Sequence, residues 1–487
     1  MNRRMIFYTV GWIVMLEAVL LAVPALVCLI YLELTGLAFL AVAGICAAIG
    51  FLLTRASKPK NTTIYAGEGF AIVALGWLML SAFGALPFVI SGEVTSYVDA
   101  FFETVSGFTT TGASVIADCG KLSHGLLFWR AFTHWLGGMG VLIFIMAIIP
   151  NLSDRSIHIM RAEMPGPVVG KLVPRVKDTA KILYILYVVL TGVEIVFLLF
   201  GGMNFFEATV HALSTAGTGG FALTADSVAG YSPYIQWVLT AFMFIFGVNF
   251  NLYYLIIAKK IGTALKSTEL WVYVGIVVLF SGTICVDLIK NCAAFANTAP
   301  GDTVRMSAFH VVSFITTTGF GAADFNAWPV LSQRLLLTLM FIGGCAGSTA
   351  GGLKISRVIM LVKIAGREMK HLIHPRSVNS VKVEGKTVDE QTLSSVSTYF
   401  SLYIVVIAVG FILLTFDPKI NDFMTNFTSI VSCFNNVGPI FGYAGAAGGM
   451  GDYSAFSKIV LAFAMLFGRL EIYPLLLALT PSTWTKR

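Results

Sequence analysis

Ten apolar stretches of about 20 or more residues constrain this chain most, because each can cross a lipid bilayer as a helix. They lie near residues 6–31, 36–54, 68–91, 125–149, 179–202, 233–258, 269–290, 331–362, 396–416 and 455–479. Only 12% of the residues are charged, whereas a soluble domain has roughly 25%. The sequence therefore predicts an all-α integral membrane protein of ten spans, whose first apolar stretch we interpret as a retained span rather than a signal peptide.

The basic residues predict the orientation of these spans. Most of the 32 lysines and arginines fall near the two ends of the chain or in alternate connections, which the positive-inside rule makes cytoplasmic. These connections are 55–60, 151–181, 259–266 and 354–386. Both termini are thus predicted to be cytoplasmic, and the net charge of +7 reflects topology without requiring a nucleic-acid partner. The segments 151–181 and 354–386 suit anionic membrane lipids, an acidic protein partner or plain solvation.

The opposite connections contain four similar polar segments. They are Phe101–Gly112, Val210–Gly219, Phe309–Gly319 and Thr428–Gly438. Each is too short and too polar to span a membrane, and irregular backbone at membrane depth is tolerated only when buried in protein or lining a water-filled path. One Thr-Thr-Gly string would be an ordinary turn, but four copies at matching places predict four re-entrant loops around a single pseudo-fourfold pore.

The chemistry of these segments suits a cation. A potassium filter replaces the hydration shell of the ion with backbone carbonyls, and glycine adopts the unusual dihedrals that this requires. A threonine before the glycine can add a hydroxyl oxygen. A short helix that ends at the loop directs its negative C-terminal end toward the ion.

Six stretches carry a resemblance to a known family. They are Ser106–Gly112, Ser214–Phe221, Ile315–Phe320, Cys433–Pro439, Gly343–Lys354 and Arg469. In these stretches the chain resembles the Trk, Ktr and HKT superfamily of potassium transporters, and its opening pair of spans resembles the TrkH type. The resemblance implies four membrane–pore–membrane repeats around one pore after an N-terminal helix pair. The expected boundaries are 1–60 for the pair, then 61–165, 166–266, 267–386 with a broken second helix, and 387–487.

The resemblance also implies the filter residues. They are Thr110, Thr111, Gly112, Thr218, Gly219, Thr317, Thr318, Gly319, Asn436, Val437 and Gly438. A glycine in every repeat is the family pattern associated with potassium. The fourth repeat departs from it with Asn435 and Asn436 in place of threonines, and no repeat has a full Thr-Val-Gly-Tyr-Gly. Sodium-permeable or sodium/proton-coupled transport on the same fold therefore stays the alternative, and channel-like and proton-coupled mechanisms both stay open.

A glycine-rich stretch interrupts the apolar run at 331–362. Its members are Gly343, Gly344, Cys345, Ala346, Gly347, Ser348, Thr349, Ala350, Gly351 and Gly352. Glycine at this density weakens a helix, which predicts a break that lines the pore below the filter. The resemblance implies that the break acts as a gate. Close helix packing through small residues is the alternative interpretation.

Arg469 lies deep in the last apolar stretch. A charge there is costly unless it faces water or a partner. Glu471 lies only two residues away and would not face Arg469 on a helix. The resemblance implies a position near the pore, where Arg469 would tune or impede cation passage; a structural ion pair is the alternative.

Other function classes fit less well. No HExxH, GxSxG or paired-aspartate motif organises Glu103, His134, His211, His310 and Glu471 into an enzyme site, and the seven cysteines form no CxxC pair. Secondary transporters have two inverted halves rather than four similar loops. The resemblance further implies potassium as the transported ion, a homodimer in the bacterial inner membrane, and a cytosolic TrkA-type ring. NAD or ATP would bind that ring, with no cofactor on this chain.

Overall fold

Helices form nearly all of the regular structure in the computed structural model, which describes seven parts of the chain. These parts are residues 2–59, 66–140, 176–292, 294–295, 298–377, 379–442 and 449–484. Part of the expected span near 125–149, most of the basic segment 151–181 and the last three residues lie outside the described residues.

Twenty-one helices are described, together with three short 3₁₀ turns and one hairpin. The helices are α1 Arg3–Leu20, α2 Ala22–Ile30, α3 Thr35–Ala56, α4 Ala66–Gly84, α5 Leu86–Ile90, α6 Tyr97–Phe108, α7 His124–Gly138, α8 Val176–Phe200, α9 Phe205–Gly217, α10 Pro233–Phe246, α11 Phe250–Ile257, α12 Ile261–Ala264, α13 Thr268–Asn291, α14 Pro300–Ile315, α15 Val330–Phe341, α16 Ile355–Ile373, α17 Glu390–Leu414, α18 Phe423–Phe434, α19 Ala455–Arg469, α20 Tyr473–Leu479 and α21 Pro481–Trp484. Strands β1 (Lys382–Val383) and β2 (Lys386–Thr387) pair antiparallel, with Lys382 opposite Thr387.

Six apolar helical segments are long enough to cross a membrane. They are Arg3–Ile30, Thr35–Ala56, Gly67–Ile90, Lys181–Phe200, Thr268–Asn291 and Glu390–Leu414. Two bent pairs bring the number to eight: α10 with α11, at 89°, and α19 with α20, at 119°. The expected stretch 331–362 is divided into α15 and α16 by irregular backbone. The membrane-spanning helical class is therefore confirmed, whereas the count of ten spans stays a prediction.

The outer faces of the long helices are suited to lipid. Val188 in α8, Val278 in α13 and Val405 in α17 are each at least half exposed. Lipid tails solvate such side chains as well as a protein core does, so exposed valines carry no penalty in a spanning helix.

Four short helices, α6, α9, α14 and α18, lie between successive long helices and are largely buried. Ser96, Asn204 and Asp422 cap the N-termini of three of them by accepting a backbone N–H, and Pro300 begins the fourth. Helix α9 packs on α7, α14 on α10, α18 on α15, and α6 on α19. Each short helix therefore contacts a helix that follows the short helix of the preceding repeat, and α6 contacts α19 of the last repeat, which closes a ring of four.

Candidate functional site

The segments that follow the four short helices share one backbone conformation. Each contains a non-glycine residue with positive φ: Thr110 (55°), Thr218 (54°), Thr317 (55°) and Asn436 (55°). Two positions later each has a glycine with positive φ: Gly112 (76°), Gly220 (73°), Gly319 (80°) and Gly438 (99°). Positive φ is uncommon outside glycine, so four copies of this pattern define one repeated structural unit.

A repeated hydrogen bond holds each segment. The residue between the two positive-φ positions donates its N–H to a serine carbonyl near the end of the preceding helix, over 2.9 Å in all four cases. The donor and acceptor pairs are Thr111 with Ser106, Gly219 with Ser214, Thr318 with Ser313, and Val437 with Ser432. The serines therefore mark the same position in every repeat.

This geometry corrects the register of the second repeat by one residue. The sequence comparison matched Gly219 with Gly112, but the structural equivalent of Gly112 is Gly220. Gly219 occupies the position of Thr111 instead. The error arose because Gly219 and Gly220 are adjacent. The serine lies six residues before the equivalent glycine in all four repeats, and this spacing predicts Gly220.

The four segments form a closed ring of carbonyl groups. A Cβ added to Gly112 would overlap the carbonyl oxygen of Gly219, and one added to Gly220 would overlap that of Thr318. A Cβ on Gly319 would likewise overlap the carbonyl oxygen of Val437. The ring closes because a Cβ on Gly438 would lie 2.6 Å from the carbonyl oxygen of Thr111. Each loop therefore packs its glycine against a carbonyl of the next loop, with no room for a side chain.

Such a ring can hold a dehydrated cation. Backbone carbonyls from several loops replace the water around an ion in a selectivity filter. The C-terminal ends of α6, α9, α14 and α18 lie two or three residues before the carbonyls of the ring, and their dipoles add partial negative charge there. The site residues predicted in the four loops are thus brought together, with Gly220 added to them.

Threonines support the ring in the first and third repeats in the same way. The Thr109 hydroxyl lies 2.8 Å from that of Thr111, and the Thr316 hydroxyl lies 2.8 Å from that of Thr318. Thr109 also donates to the Val105 carbonyl, which ties the pair to the short helix. These hydroxyl contacts therefore stabilise the first and third loops.

The second and fourth repeats use other residues for this support. In the second repeat, a Cβ on Gly219 would overlap the His134 ring, which stacks on Phe221 with ring centres 4.1 Å apart. In the fourth repeat, Tyr403 donates to the Asn435 side chain over 2.7 Å. The ring is therefore fourfold in its backbone but not in its side chains.

A buried ion pair ties the first loop to its surroundings. Arg130 donates to Glu103 over 2.7 Å, and both side chains are almost fully buried. Glu103 also accepts from the Ser114 hydroxyl and the Val115 N–H. The Arg130 guanidinium lies 4.0 Å from the centre of the Phe221 ring. Glu103 was considered only as a possible enzyme residue. Its partner Arg130 lies 27 residues further along the chain, so no local sequence pattern predicts the ion pair.

We expect Arg130→Met to destabilise the protein by about 3–5 kcal/mol, because it leaves the Glu103 carboxylate buried and unpaired. Thermal unfolding in detergent micelles measures the loss. The double variant with Glu103→Gln removes both charges and serves as the control, so its unfolding midpoint should lie above that of the single variant. A double variant less stable than Arg130→Met would contradict the assignment of this pair.

A cavity of about 80 Å³ opens beside the ring and is lined by the positive-φ glycine of all four loops. Its other walls include Ser114, Thr224 and Ser227, and no acidic residue lines it among the described residues. Asp118 and Asp324 follow the first and third loops, and each accepts the backbone N–H of the residue two positions further on. Local attraction of cations by an acidic cavity wall is thus absent from the described site.

The glycine-rich segment 343–352 lies against the third and fourth of these loops. No regular helix joins α15 to α16 across it. The Gly351 N–H donates to the Thr317 hydroxyl over 2.7 Å, and a Cβ on Gly351 would lie 2.6 Å from the Asn435 carbonyl oxygen. The expected break in the helix is therefore present and contacts the loops directly.

Neighbouring helices clamp this segment. One carboxylate oxygen of Glu269, at the start of α13, accepts the N–H groups of both Ala346 and Ser356, at 2.7 and 3.1 Å. The Cys345 N–H donates to the Gly247 carbonyl at the bend between α10 and α11. Glu269 was not among the predicted site residues, because its only signal in the sequence is a carboxylate at the start of an apolar span.

Arg469 joins the segment to the first loop. Its guanidinium donates to the Thr349 carbonyl (3.0 Å), the Thr110 hydroxyl (3.2 Å) and the carbonyls of Gly137 and Gly138 at the end of α7. Arg469 therefore lies beside the first loop of the ring.

Two further basic residues follow the segment closely in the chain, and neither was among the predicted site residues. Lys354, which is 1% exposed, donates to the Ala350 carbonyl. Arg357 forms a two-point ion pair with Glu471 at 2.9 and 2.6 Å. Glu471 and Ile472 both have positive φ at the bend after α19, so this pair is anchored on strained backbone.

Comparison with known proteins gives consistent results. A family described as "TrkH: Cation transport protein" matches residues 36–486. The "Trk system potassium uptake protein TrkH" of Escherichia coli K12 is 37% identical, covering 99% of this chain and 100% of its own. The protein TrkG of the same organism is 32% identical, covering 99% of this chain and 98% of its own.

A solved structure agrees over the full length. The crystal structure of the potassium transporter TrkH from Vibrio parahaemolyticus superposes with a TM-score of 0.88 at 34% identity, and the match covers 100% of both chains. These relatives are transport proteins, which rules out the enzyme alternative. The chain belongs to the TrkH family of cation transport proteins.

Proposed function

We propose that this protein takes up potassium across the bacterial inner membrane through the ring formed by its four loops. The observation that carries the proposal is the closed contact of each loop glycine with a carbonyl of the next loop. Four carbonyls held this closely offer oxygen ligands to a dehydrated ion. The proposed ligands are the predicted filter residues of the four loops, extended by Gly220. The potassium-uptake relatives described above support the choice of ion.

Uptake of potassium and, separately, of sodium into liposomes that contain the purified protein alone tests this proposal. We expect potassium flux well above sodium flux, with protein-free liposomes as the blank. Equal fluxes would keep the pore and reject potassium specificity. If neither ion moves, a variant that lacks residues 343–352 separates a closed gate from a wrong assignment, because only the first recovers flux.

Sodium passage through the same ring is the second candidate. The fourth repeat favours it, because Asn435, Asn436 and Val437 replace the threonines and glycine found at these positions elsewhere. The Asn436 amide nitrogen donates to the Thr111 hydroxyl and to the Met465 carbonyl, whereas its Oδ1 atom is buried without a hydrogen-bond partner among the described residues. A ring in which one loop differs from the other three constrains the size of the bound ion less than a fully symmetric ring does.

The segment Gly343–Gly352 is proposed as the gate. Its support is the direct contact with Thr317 together with the clamp by Glu269, which hold irregular backbone at the base of the ring. Arg469 and Lys354 add two positive charges at carbonyls of consecutive residues in this segment, Thr349 and Ala350. A cation that passes would have to displace the segment or the charges.

The assembly around the pore is also part of the proposal. We assign the N-terminal pair to residues 1–60 and the repeats to 61–165, 166–266, 267–386 and 387–487. The protein would act as a homodimer with both termini in the cytoplasm. Helix α16 presents Lys363, Arg367 and Lys370 on a basic surface beyond the gate. A cytosolic TrkA-type ring that binds NAD or ATP would act on this surface.

A further inference from the structure

Two glutamates lie behind the ring and take no part in it. Glu17 in α1 and Glu194 in α8 are both 0% exposed, and none of their four carboxyl oxygens has a hydrogen-bond partner among the described residues. Both belong to membrane-spanning segments, where water is scarce. An ionised carboxyl without partners is strongly disfavoured in such surroundings, whereas the protonated acid is far less costly to bury.

Glu17 lies between α4 and the short helix α6. Its Oε1 atom is 3.2 Å from the position that a Cβ on Gly84 would occupy, and the side chains of Thr104 and Phe108 of α6 meet the same point at 2.9 and 3.2 Å. Trp77 and Ser81 share this face of α4, at the helical spacing of four and three residues. The indole N–H of Trp77 and the hydroxyl of Ser81 are also buried without a partner in the described structure.

The charged groups of the helices around Glu17 are engaged elsewhere or lie far along them. The Cys46 thiol of α3 is its titratable neighbour. Arg55 of α3 lies nine residues further on, which is about 14 Å along the helix. Glu68 is in the first turn of α4, at the opposite end from Gly84. In α6, Asp99 pairs with Lys458, as Glu103 does with Arg130. No described cation therefore balances a charge on Glu17.

The described surroundings of Glu194 offer its carboxyl no hydrogen-bond donor. The Glu194 carboxyl faces the hydroxyl of Thr215 in the short helix α9. That hydroxyl donates its single hydrogen to the His211 carbonyl over 2.8 Å. A threonine hydroxyl with its hydrogen committed can only accept a further hydrogen bond. Thr215 therefore offers no hydrogen to the Glu194 carboxyl, in agreement with the lack of a partner for either carboxyl oxygen among the described residues.

The other groups near Glu194 do not supply a counter-charge. Tyr187 of α8 donates to the Trp135 carbonyl over 3.0 Å, and Arg469 is engaged with Thr110 and Thr349. Helix α9 brings His211, whose Nδ1 lies 2.8 Å from the Glu207 carbonyl. Helices α10 and α11 contain no charged residue. From α7, Arg130 pairs with Glu103, and His134 packs against Gly219 of the ring.

We propose that Glu17 and Glu194 are two resident proton-binding sites, each a neutral carboxylic acid that packs against the back of a short helix beneath the carbonyl ring. Loss of the proton places a bare carboxylate against α6 or α9, and the short helix must shift before donors, such as the Trp77 indole N–H and the Ser81 hydroxyl near Glu17, can reach the carboxylate. The loop that follows moves with it, because its backbone is bonded to the end of that helix through Ser106 or Ser214. Proton release at either site thus lowers ion flux through the ring.

Infrared spectroscopy of the full protein in lipid vesicles tests the protonation directly. The carbonyl stretch of a neutral carboxylic acid is distinct from the bands of ionised carboxylates. Glu17→Gln and Glu194→Gln should each remove the intensity of one neutral carboxyl, and the double variant the sum of the two. Glu207→Gln, which changes a carboxyl in the first turn of α9 at the protein surface, is the matched control and should remove none. Unchanged neutral-acid intensity in the double variant would overturn the proposal.

The coupling to the ring is tested by the ratio of cation flux in alkaline buffer to that at neutral pH. This ratio should fall severalfold below one in the unmodified protein and stay closer to one in the double glutamine variant, which cannot ionise at either position. An equal fall in both proteins would overturn the coupling. The infrared result does not depend on transport, so failure of the proposed potassium function would not be mistaken for failure of the proton assignment.

Discussion

Gly319→Ser is expected to lower the potassium-over-sodium flux ratio by about tenfold or more. Two costs combine at this position. A residue other than glycine at φ 80° is strained by about 1–3 kcal/mol, and the new Cβ would overlap the carbonyl oxygen of Val437. The third loop must then move away from the fourth, which widens the ring on one side. A loss of about 1.4 kcal/mol in discrimination corresponds to tenfold.

Separate potassium and sodium fluxes into liposomes measure this ratio. Gly321→Ser is the matched control, since it makes the same change two residues further along the same loop. A Cβ on Gly321 would meet only the Ser227 Cβ, at 4.0 Å, and its φ is not positive. The control should keep the ratio of the unmodified protein. An unchanged ratio in Gly319→Ser would remove Gly319 from the filter.

Arg469→Ala is expected to raise the flux of the protein alone by about tenfold. The guanidinium now holds the glycine-rich segment to the first loop through Thr349 and Thr110. Its charge also repels a passing cation, by about 2 kcal/mol at roughly 8 Å for an effective dielectric constant near 20. The alanine variant removes both the contact and the charge, so a barrier on the ion path is lowered.

The lysine variant separates these two effects. Arg469→Lys keeps the positive charge but cannot reproduce the planar, several-fold donation of the guanidinium. Its flux should lie between those of the unmodified protein and the alanine variant. Flux unchanged in Arg469→Ala, at normal membrane expression, would assign Arg469 to structural support alone.

Sequence patterns predicted the parts of this protein that depend on local composition. The long apolar stretches gave the membrane class, and the four polar segments gave the loops that meet at the ring. The glycine run at 343–352 predicted a break in a helix because glycine is a poor helix former. Each apolar stretch and the glycine run is a local signal, and the loops were predicted from the recurrence of one local pattern, so no knowledge of packing was needed.

The features that could not be predicted from the sequence depend on contacts between residues that are distant along the chain. Glu269 clamps Ala346 from 77 positions away, and Arg357 pairs with Glu471 across 114. Neither partner carries a local signature, since a lone charge beside an apolar run usually marks the end of a span. The register of the second repeat was predicted wrongly for another reason. Gly219 and Gly220 are adjacent, and in the sequence only the six-residue spacing from Ser214 distinguishes them.

The ring has one further consequence, which concerns how its properties can change over evolution. In a pore assembled from four identical subunits, any substitution appears four times at once. Here each quarter has its own codons, so a mutation alters one quarter and leaves three as they were. The unlike supports behind Gly219 and Asn435 fit such quarter-by-quarter drift. Ion preference can therefore be adjusted in small steps, with three intact quarters tolerating each step.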